Sequence, residues 1–218
     1  NDAFIQILRI ITRLPRAKKA WQRNMMKPDN KPTRCAWVNN DPIYIDYHDK
    51  EWGKPIYDDR LLFEFLILEG AQAGLSWITI LKRRENYRQC FDHFDADKIA
   101  NYDKRTCERL LGNPGIIRNR LKIDSVVSNA RAYLEIQHKL GRFSDYIWQF
   151  VDGRPLQNNW ENHTDVPAHT LLSDKMSKDL KKRGFKFIGS TICYAFMQAT
   201  GMVNDHITCC FRHAELTP

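Results

Sequence analysis

The sequence has no run of 18 apolar residues, so nothing in it reads as a membrane-spanning helix. It has no internal repeat and no low-complexity tract, which sets aside solenoids and compositionally biased linkers. Strand signals are few, and the chain reads as all-α. Six cysteines stand at 35, 90, 107, 193, 209 and 210, but not in the spacing of a small secreted framework. A chain of 218 residues has ample core without disulfide staples, so a reducing compartment is expected. Acidic charge is scarce at one end. Residues 1–31 set Arg9, Arg13, Arg16, Lys18, Lys19, Arg23, Lys27 and Lys31 against Asp2 and Asp29, which is +6 of the total +8 and leaves +2 for the rest. That balance permits a nucleic-acid partner without demanding one.

Within this basic stretch, residues 4–14 are apolar at 4, 7, 8, 11 and 14, an amphipathic, Arg-rich, acid-poor pattern. Three readings stay open: an organellar presequence, a flexible basic arm, or sequence upstream of the true start, since Met25 and Met26 lie shortly before Cys35. In each, residues 1–31 stand outside the fold and 32–218 form the domain.

The chain is organised around residues 35–77, CAWVNNDPIYIDYHDKEWGKPIYDDRLLFEFLILEGAQAGLSW. The first part, 35–52, is rich in Pro, Asn and Asp and reads as loop with a turn or two. Cys35 and His48 sit in it. The second part, Asp59–Gly70, reads as a helix capped by Asp58 or Asp59 and ended by Gly70 and Gly74. Leu62, Phe65, Leu66 and Glu69 share one helical face. A carboxylate there is costly to bury without a partner, so the simplest reading lets Glu69 swing out to water.

Further on, Ser76–Phe91 predicts one helix with Ser76 as N-cap and Trp77, Ile80 and Leu81 facing inward. Asp95–Ala100 and Asp103–Leu111 are shorter helical segments. Gly112-Asn113-Pro114-Gly115 is a turn, and helical spacing then runs from Ile116 through Arg120 to Leu134. Backbone N–H groups of such a turn can hold a phosphate, with Arg118, Arg120 and Lys122 in support. Two helices about a tight turn are also an ordinary packing unit. Tyr146–Val151 is a short apolar element, and 152–170 a polar loop whose His163 and His169 receive no role. Ser173–Arg183 predicts a helix capped by Ser173, with Gly184 at C′ and Phe185 returning to Leu180. Thr191–Thr200 predicts a helix closed by Gly201.

His206 and Cys210 stand at i and i+4, side by side if that segment is one helical turn. With Cys35 and His48 they make a Cys2His2 set suited to tetrahedral zinc. The spacing, C-x12-H and then H-x3-C, is not that of a zinc finger. Its physical sense is a clasp that closes a very long loop, whose entropic cost grows only slowly with length. Four protein ligands leave no open position, so the metal is structural. Two unrelated Cys/His neighbourhoods are the plainer reading, and Cys209 competes with Cys210.

RCAWVNNDPIYIDYHDKEWGKP, LILEGAQAGLSWITILKRRENYR, GIIRNRLKI, NARAYL and LKKRGFKFIGSTICYAFMQATGMVNDH, with the H-x3-C that follows, span roughly 34–210. Together they closely resemble the constitutive bacterial 3-methyladenine DNA glycosylase I family. The resemblance implies a helix-hairpin-helix glycosylase fold and a zinc clasp on Cys35, His48, His206 and Cys210. It implies a pocket for a flipped alkylated base, with Glu69 contacting the base, Tyr47 and Trp77 stacked against or edging it, and Trp52, Tyr44 and Trp37 nearby. It turns the hairpin at Asn113–Gly115, with Arg118, Arg120 and Lys122, into an anchor for the DNA backbone. The implied partner is double-stranded DNA with alkylated bases. A monomer without membrane attachment in the bacterial cytoplasm is the default expectation, and organellar targeting by the arm stays open. The chain departs from the family pattern in the arm 1–31, at Gly115-Ile116, at Leu121 and at Cys209. Other classes compete: a lesion-binding module that does not cleave, a glycosylase for other methylated purines, and a structural zinc protein.

Overall fold

The computed structural model describes residues 32–217, so the reading of 1–31 as a basic arm lies outside it. Among the described residues are eleven α-helices, three short 3-10 segments and one pair of two-residue strands. The expected all-helical class holds, and no described helix is long and apolar enough to cross a membrane.

The centre is α2 (Asp59–Gln72); α1 (Pro42–Lys50) precedes it. Asp58 caps α2 by accepting from the Leu61 N–H at 2.8 Å. Asp59 is left free to reach across the core, where its oxygens accept from the N–H groups of Phe143 and Ser144, each at 2.8 Å. It thereby satisfies the first turn of α8 (Phe143–Trp148). Every residue from Leu62 to Ala71 is buried. Such a helix needs neighbours on all sides, and α2 has them in α3 (Trp77–Leu81), α7 (Arg120–Leu140), α8 and α10 (Ser190–Ala199). Two of its buried residues are acidic. Glu64 is paired with Arg84 at 2.6 Å and Arg88 at 2.8 Å; Glu69 has no such partner.

Several local expectations are corrected. Residues 42–50, read as loop, form α1: Asp41 accepts from the Ile43 N–H and Pro42 sits in the first turn, where its missing donor costs nothing. Ser76–Phe91 is two helices, α3 and α4 (Arg84–Cys90), broken at Lys82-Arg83, and the Ser76 hydroxyl meets the Thr79 hydroxyl rather than a backbone N–H. After α5 (Ala96–Ala100) and α6 (Lys104–Leu111), the helix expected from Ile116 begins only at Arg120, where Asn119 caps it through the Lys122 N–H. Gly70 does not end α2; it lies inside it, where a Cβ would come within 3.2 Å of the Phe187 carbonyl. Thr170, not Ser173, caps α9 (Leu171–Lys182), and Ser173 completes the capping box. The C-terminal turn of α9 is as expected, with Phe185 N–H donating to the Leu180 carbonyl at 3.1 Å beyond a left-handed Gly184. The loop 152–170 contributes β1 (Leu156–Gln157), which pairs in parallel with β2 (Val203–Asn204).

The segment after β2 meets the N-terminal part of the described fold, His206 Nε2 lying 3.1 Å from the Trp52 carbonyl. The segment 53–56 runs along the end of α10: Gly53 N–H donates to the Gln198 carbonyl and Ile56 N–H to that of Thr200. Gly201 makes the contact possible, because a Cβ there would lie 2.3 Å from the Lys54 carbonyl carbon. His206 to Cys210 is a turn rather than a helical one, closed by Cys210 N–H on the Ile207 carbonyl at 2.8 Å, and α11 (Phe211–Glu215) follows.

Candidate metal centre and binding pocket

Cys35, His48, His206 and Cys210 converge in the buried interior, their ligand atoms all within 4.8 Å of one another. Cys210 Sγ lies 3.4 Å from His206 Nδ1 and 3.5 Å from His48 Nε2, and Cys35 Sγ lies 3.5 Å from His206 Nδ1. Tetrahedral bonds of zinc length place sulfur and nitrogen about 3.6 Å apart, so the donor set fits a metal ion of that kind. Each imidazole is held by its other nitrogen. His48 Nδ1 donates to Asp49 Oδ1 at 2.7 Å, and His206 Nε2 to the Trp52 carbonyl at 3.1 Å. Arg34 in turn grips Asp49 with Nε at 2.8 Å and Nη2 at 2.6 Å. Such outer contacts fix tautomer and ring orientation. The hydrogen bond from Cys35, and then those of His206 and His48, pull the Cys210 thiol far below its usual range. Cys209 is exposed and is not among the four grouped residues, whereas Cys210 is buried with them.

Beside this cage is a cavity of about 180 Å³. All six residues expected at a base site line it: Trp37, Tyr44, Tyr47, Trp52, Glu69 and Trp77. Tyr47 and Trp77 meet at 5.6 Å between centroids, while Trp37 touches both Tyr44 and Trp52 at 5.0 Å. Glu69 does not swing out to water. It is 3 % exposed, and the crowded end of α2 holds it facing the cavity. Burial pushes its carboxyl up to about 8. Four buried side-chain polar atoms among the described residues lack a partner, and two of them, Glu69 Oε2 and Trp77 Nε1, belong to this cavity. An orphaned acceptor and an orphaned donor between aromatic walls suit a flat ligand that carries both functions.

Sequence reasoning missed Gln72, His163, Val166, Ala195, Gln198 and Asp205, which complete the lining. His163 came from a loop where a lone histidine means little. Asp205 adjoined a metal ligand and drew no role of its own.

The turn after α6 is fastened by side chains. Asn113 Oδ1 accepts from the Gly115 N–H at 2.8 Å, Asn113 Nδ2 donates to Cys90 Sγ at 3.0 Å, and Tyr87 OH accepts from the Ile117 N–H at 3.2 Å. Arg118 is exposed beside it. Arg120 pairs with Glu108 at 2.8 Å. Lys122 turns inward, donating to the Ala71 and Ala73 carbonyls at 2.8 and 2.7 Å, so its ammonium caps the end of α2. Leu121 is 68 % exposed.

Fold and site thus define a mostly helical protein with a buried Cys2His2 set that fits a metal ion and an acid-bearing aromatic pocket. A family model described as methyladenine glycosylase matches residues 37–213. The chain is 53 % identical over 180 residues to DNA-3-methyladenine glycosylase 1 of Escherichia coli K12, covering 82 % of this chain and 96 % of that one. A crystal structure of 3-methyladenine DNA glycosylase I superposes with a TM-score of 0.82 at 56 % identity, over 83 % of this chain and 100 % of that one. A variant of 3-methyladenine DNA glycosylase I, crystallised in complex with 3-methyladenine, superposes at 0.80 and 38 % identity, over 82 % and 96 %. The chain belongs to the methyladenine glycosylase family.

Proposed function

We propose that this protein is a base-excision repair enzyme that hydrolyses the N-glycosidic bond of 3-methyladenine in alkylated double-stranded DNA, leaving an abasic site. The observation that carries the reading is the pairing of the unpartnered Glu69 carboxyl and Trp77 Nε1 across one aromatic cavity.

Adenine methylated at N3 within DNA is cationic, and its glycosidic bond is already weak. An enzyme must extrude the nucleotide, hold the charged base, and admit water to the sugar carbon as the bond to N9 breaks. The base leaves neutral and the strand stays intact. Tyr47 and Trp77, with Tyr44, Trp37 and Trp52 around them, supply faces for the base, worth about 1–3 kcal/mol per stack. A cation gains further from an electron-rich indole when desolvated. Glu69 accepts from the exocyclic amine, and its carboxylate form complements the charge that normal adenine lacks. Among the described residues no lysine lines the cavity, which supports a monofunctional hydrolase rather than one working through a Schiff base.

In this reading α6, residues 112–119 and α7 are the helix-hairpin-helix. The hairpin and Arg118 take the DNA backbone; Arg120 and Lys122 stand behind them, committed to Glu108 and to the end of α2. The cage on Cys35, His48, His206 and Cys210 holds structural Zn2+, which when bound supplies cross-linking and no open coordination position. The protein acts as a monomer, with its free thiols in the reducing bacterial cytoplasm.

The test is base release. Methylated duplex is incubated with wild type and Glu69→Ala, and freed bases are separated chromatographically. Release of 3-methyladenine by wild type, strongly reduced in the variant, is the expected result. A folded, metal-loaded wild type that binds the duplex and frees no base would overturn it.

A further inference from the structure

We infer that Asp205 is a specificity-determining residue of the pocket: a fixed carboxylate, held on both oxygens by uncharged donors, that makes the cavity prefer a cationic purine over its neutral counterpart. This rests on the reading of the cavity as a base site.

Asp205 follows β2 and immediately precedes the ligand His206. It is 2 % exposed, and it lines the same cavity as Glu69. Its two oxygens accept four hydrogen bonds. Oδ1 takes Asn158 Nδ2 at 2.6 Å and Trp160 Nε1 at 2.8 Å; Oδ2 takes the Tyr194 hydroxyl at 2.7 Å and Gln198 Nε2 at 2.8 Å. Three of these groups, on Asn158, Trp160 and Gln198, are N–H donors that must meet an acceptor, and the Tyr194 hydroxyl fills the fourth place. All four donors are uncharged. Among the described residues no Lys or Arg pairs with Asp205, whereas the buried Glu64 faces two arginines. The donors solvate the charge without cancelling it. A carboxylate held among uncharged donors at the cavity wall is a standing attraction for a cation.

The two acids of the cavity therefore differ in kind. Glu69 has no partner in the free protein and must adjust when a ligand arrives. Asp205 is saturated, and its four donors hold the carboxylate in place before a ligand arrives. Preorganised charge needs no rearrangement when the cationic base enters. It also favours release of the neutral product over retention. A structural role for Asp205 is plain as well, since it fastens the segment of Asn158 and Trp160 to α10. The experiment must separate the two roles.

Two ligands serve as probes: the 3,9-dimethyladeninium cation, whose N9 methyl stands where the sugar would be, and neutral 3-methyladenine at a pH where it is uncharged. Affinities are read from quenching of the pocket tryptophans, for wild type, Asp205→Asn, Trp160→Phe and Glu69→Gln, with metal content and melting temperature as checks on folding. Wild type should prefer the cation. Asp205→Asn should lose about tenfold of that preference while binding the neutral base within about twofold. Trp160→Phe, which removes a donor and keeps the charge, should retain the preference. Glu69→Gln should keep a residual preference, and this holds the inference open to refutation even if Asp205→Asn does not fold. An unchanged preference in Asp205→Asn, an equal loss for both ligands, or no residual preference in Glu69→Gln would each overturn it. If wild type binds neither ligand, the base-site reading itself fails.

Discussion

The indole of Trp52 stands edge-on to the imidazole of His206, centroids 4.5 Å apart, while the Trp52 carbonyl accepts the His206 Nε2–H at 3.1 Å. One residue is thus both a wall of the pocket and an outer contact of the metal cage. Whatever loosens the cage shifts that wall.

Metal removal, or Cys35→Ala, should therefore do two things. Loss of several kcal/mol of metal binding lowers the melting temperature by about 10 °C or more for a domain of this size. Because Trp52 is shared, tryptophan emission should change at temperatures well below the melt. A melting curve unmoved after verified metal loss would rule out the clasp.

Arg34 and Asp49 hold His48 from behind, and neither of the two lines the pocket. Asp49→Asn should weaken metal affinity about 10–100-fold. Competition against a chromogenic chelator measures this. Base affinity in the fully loaded variant should match wild type.

Glu69 gives the free protein a pH signature. Its folded value of about 8 lies above the usual 4.5, so the folded state holds a proton that the unfolded chain has released. That term makes stability fall as pH rises from 4.5 to 8 and then level off. Glu69→Gln removes it. The variant should be more stable than wild type at pH 9, by about 2–5 kcal/mol, and nearly equal at pH 4. Denaturant midpoints across that range decide the matter. A cationic ligand favours the carboxylate, so its binding near neutral pH should release a proton, detectable by calorimetry in buffers of different ionisation heat.

Lys122 and Arg118 are four residues apart and should behave oppositely. Arg118→Ala should reduce the salt slope of duplex binding by about one and leave stability alone. Lys122→Met unties the Ala71 and Ala73 carbonyls and should cost about 1–3 kcal/mol of stability with the slope unchanged. A lowered slope for Lys122→Met would return it to the DNA surface.

Much of this was legible in sequence because it rests on local rules. Asp58, Asp95, Asp103 and Gly184 cap helices as their positions suggest, and the stripe Leu62, Phe65, Leu66 marks α2. The errors share a cause. Gly70 reads as a stop but serves close packing on Phe187, and Glu69 reads as solvated but is walled in by α2's neighbours; the bonds from Lys122 to the end of α2 were likewise not foreseen. Each depends on an element distant in sequence. Pro42 misled differently, since a breaker in mid-helix is a starter in its first turn. Asp205 and His163 reached the cavity through the β1–β2 pairing, which two residues per strand are too few to announce.

The bond from His206 to Trp52 joins positions 154 residues apart. During synthesis, at about 5–20 residues per second, Trp52 waits some 8–30 s for its partner to be made. A nascent or stalled chain already carries Glu69 and the tryptophans, but their wall lacks its support. The completed pocket appears only when the last ligands arrive, so partial chains should have no finished site with which to engage damaged DNA.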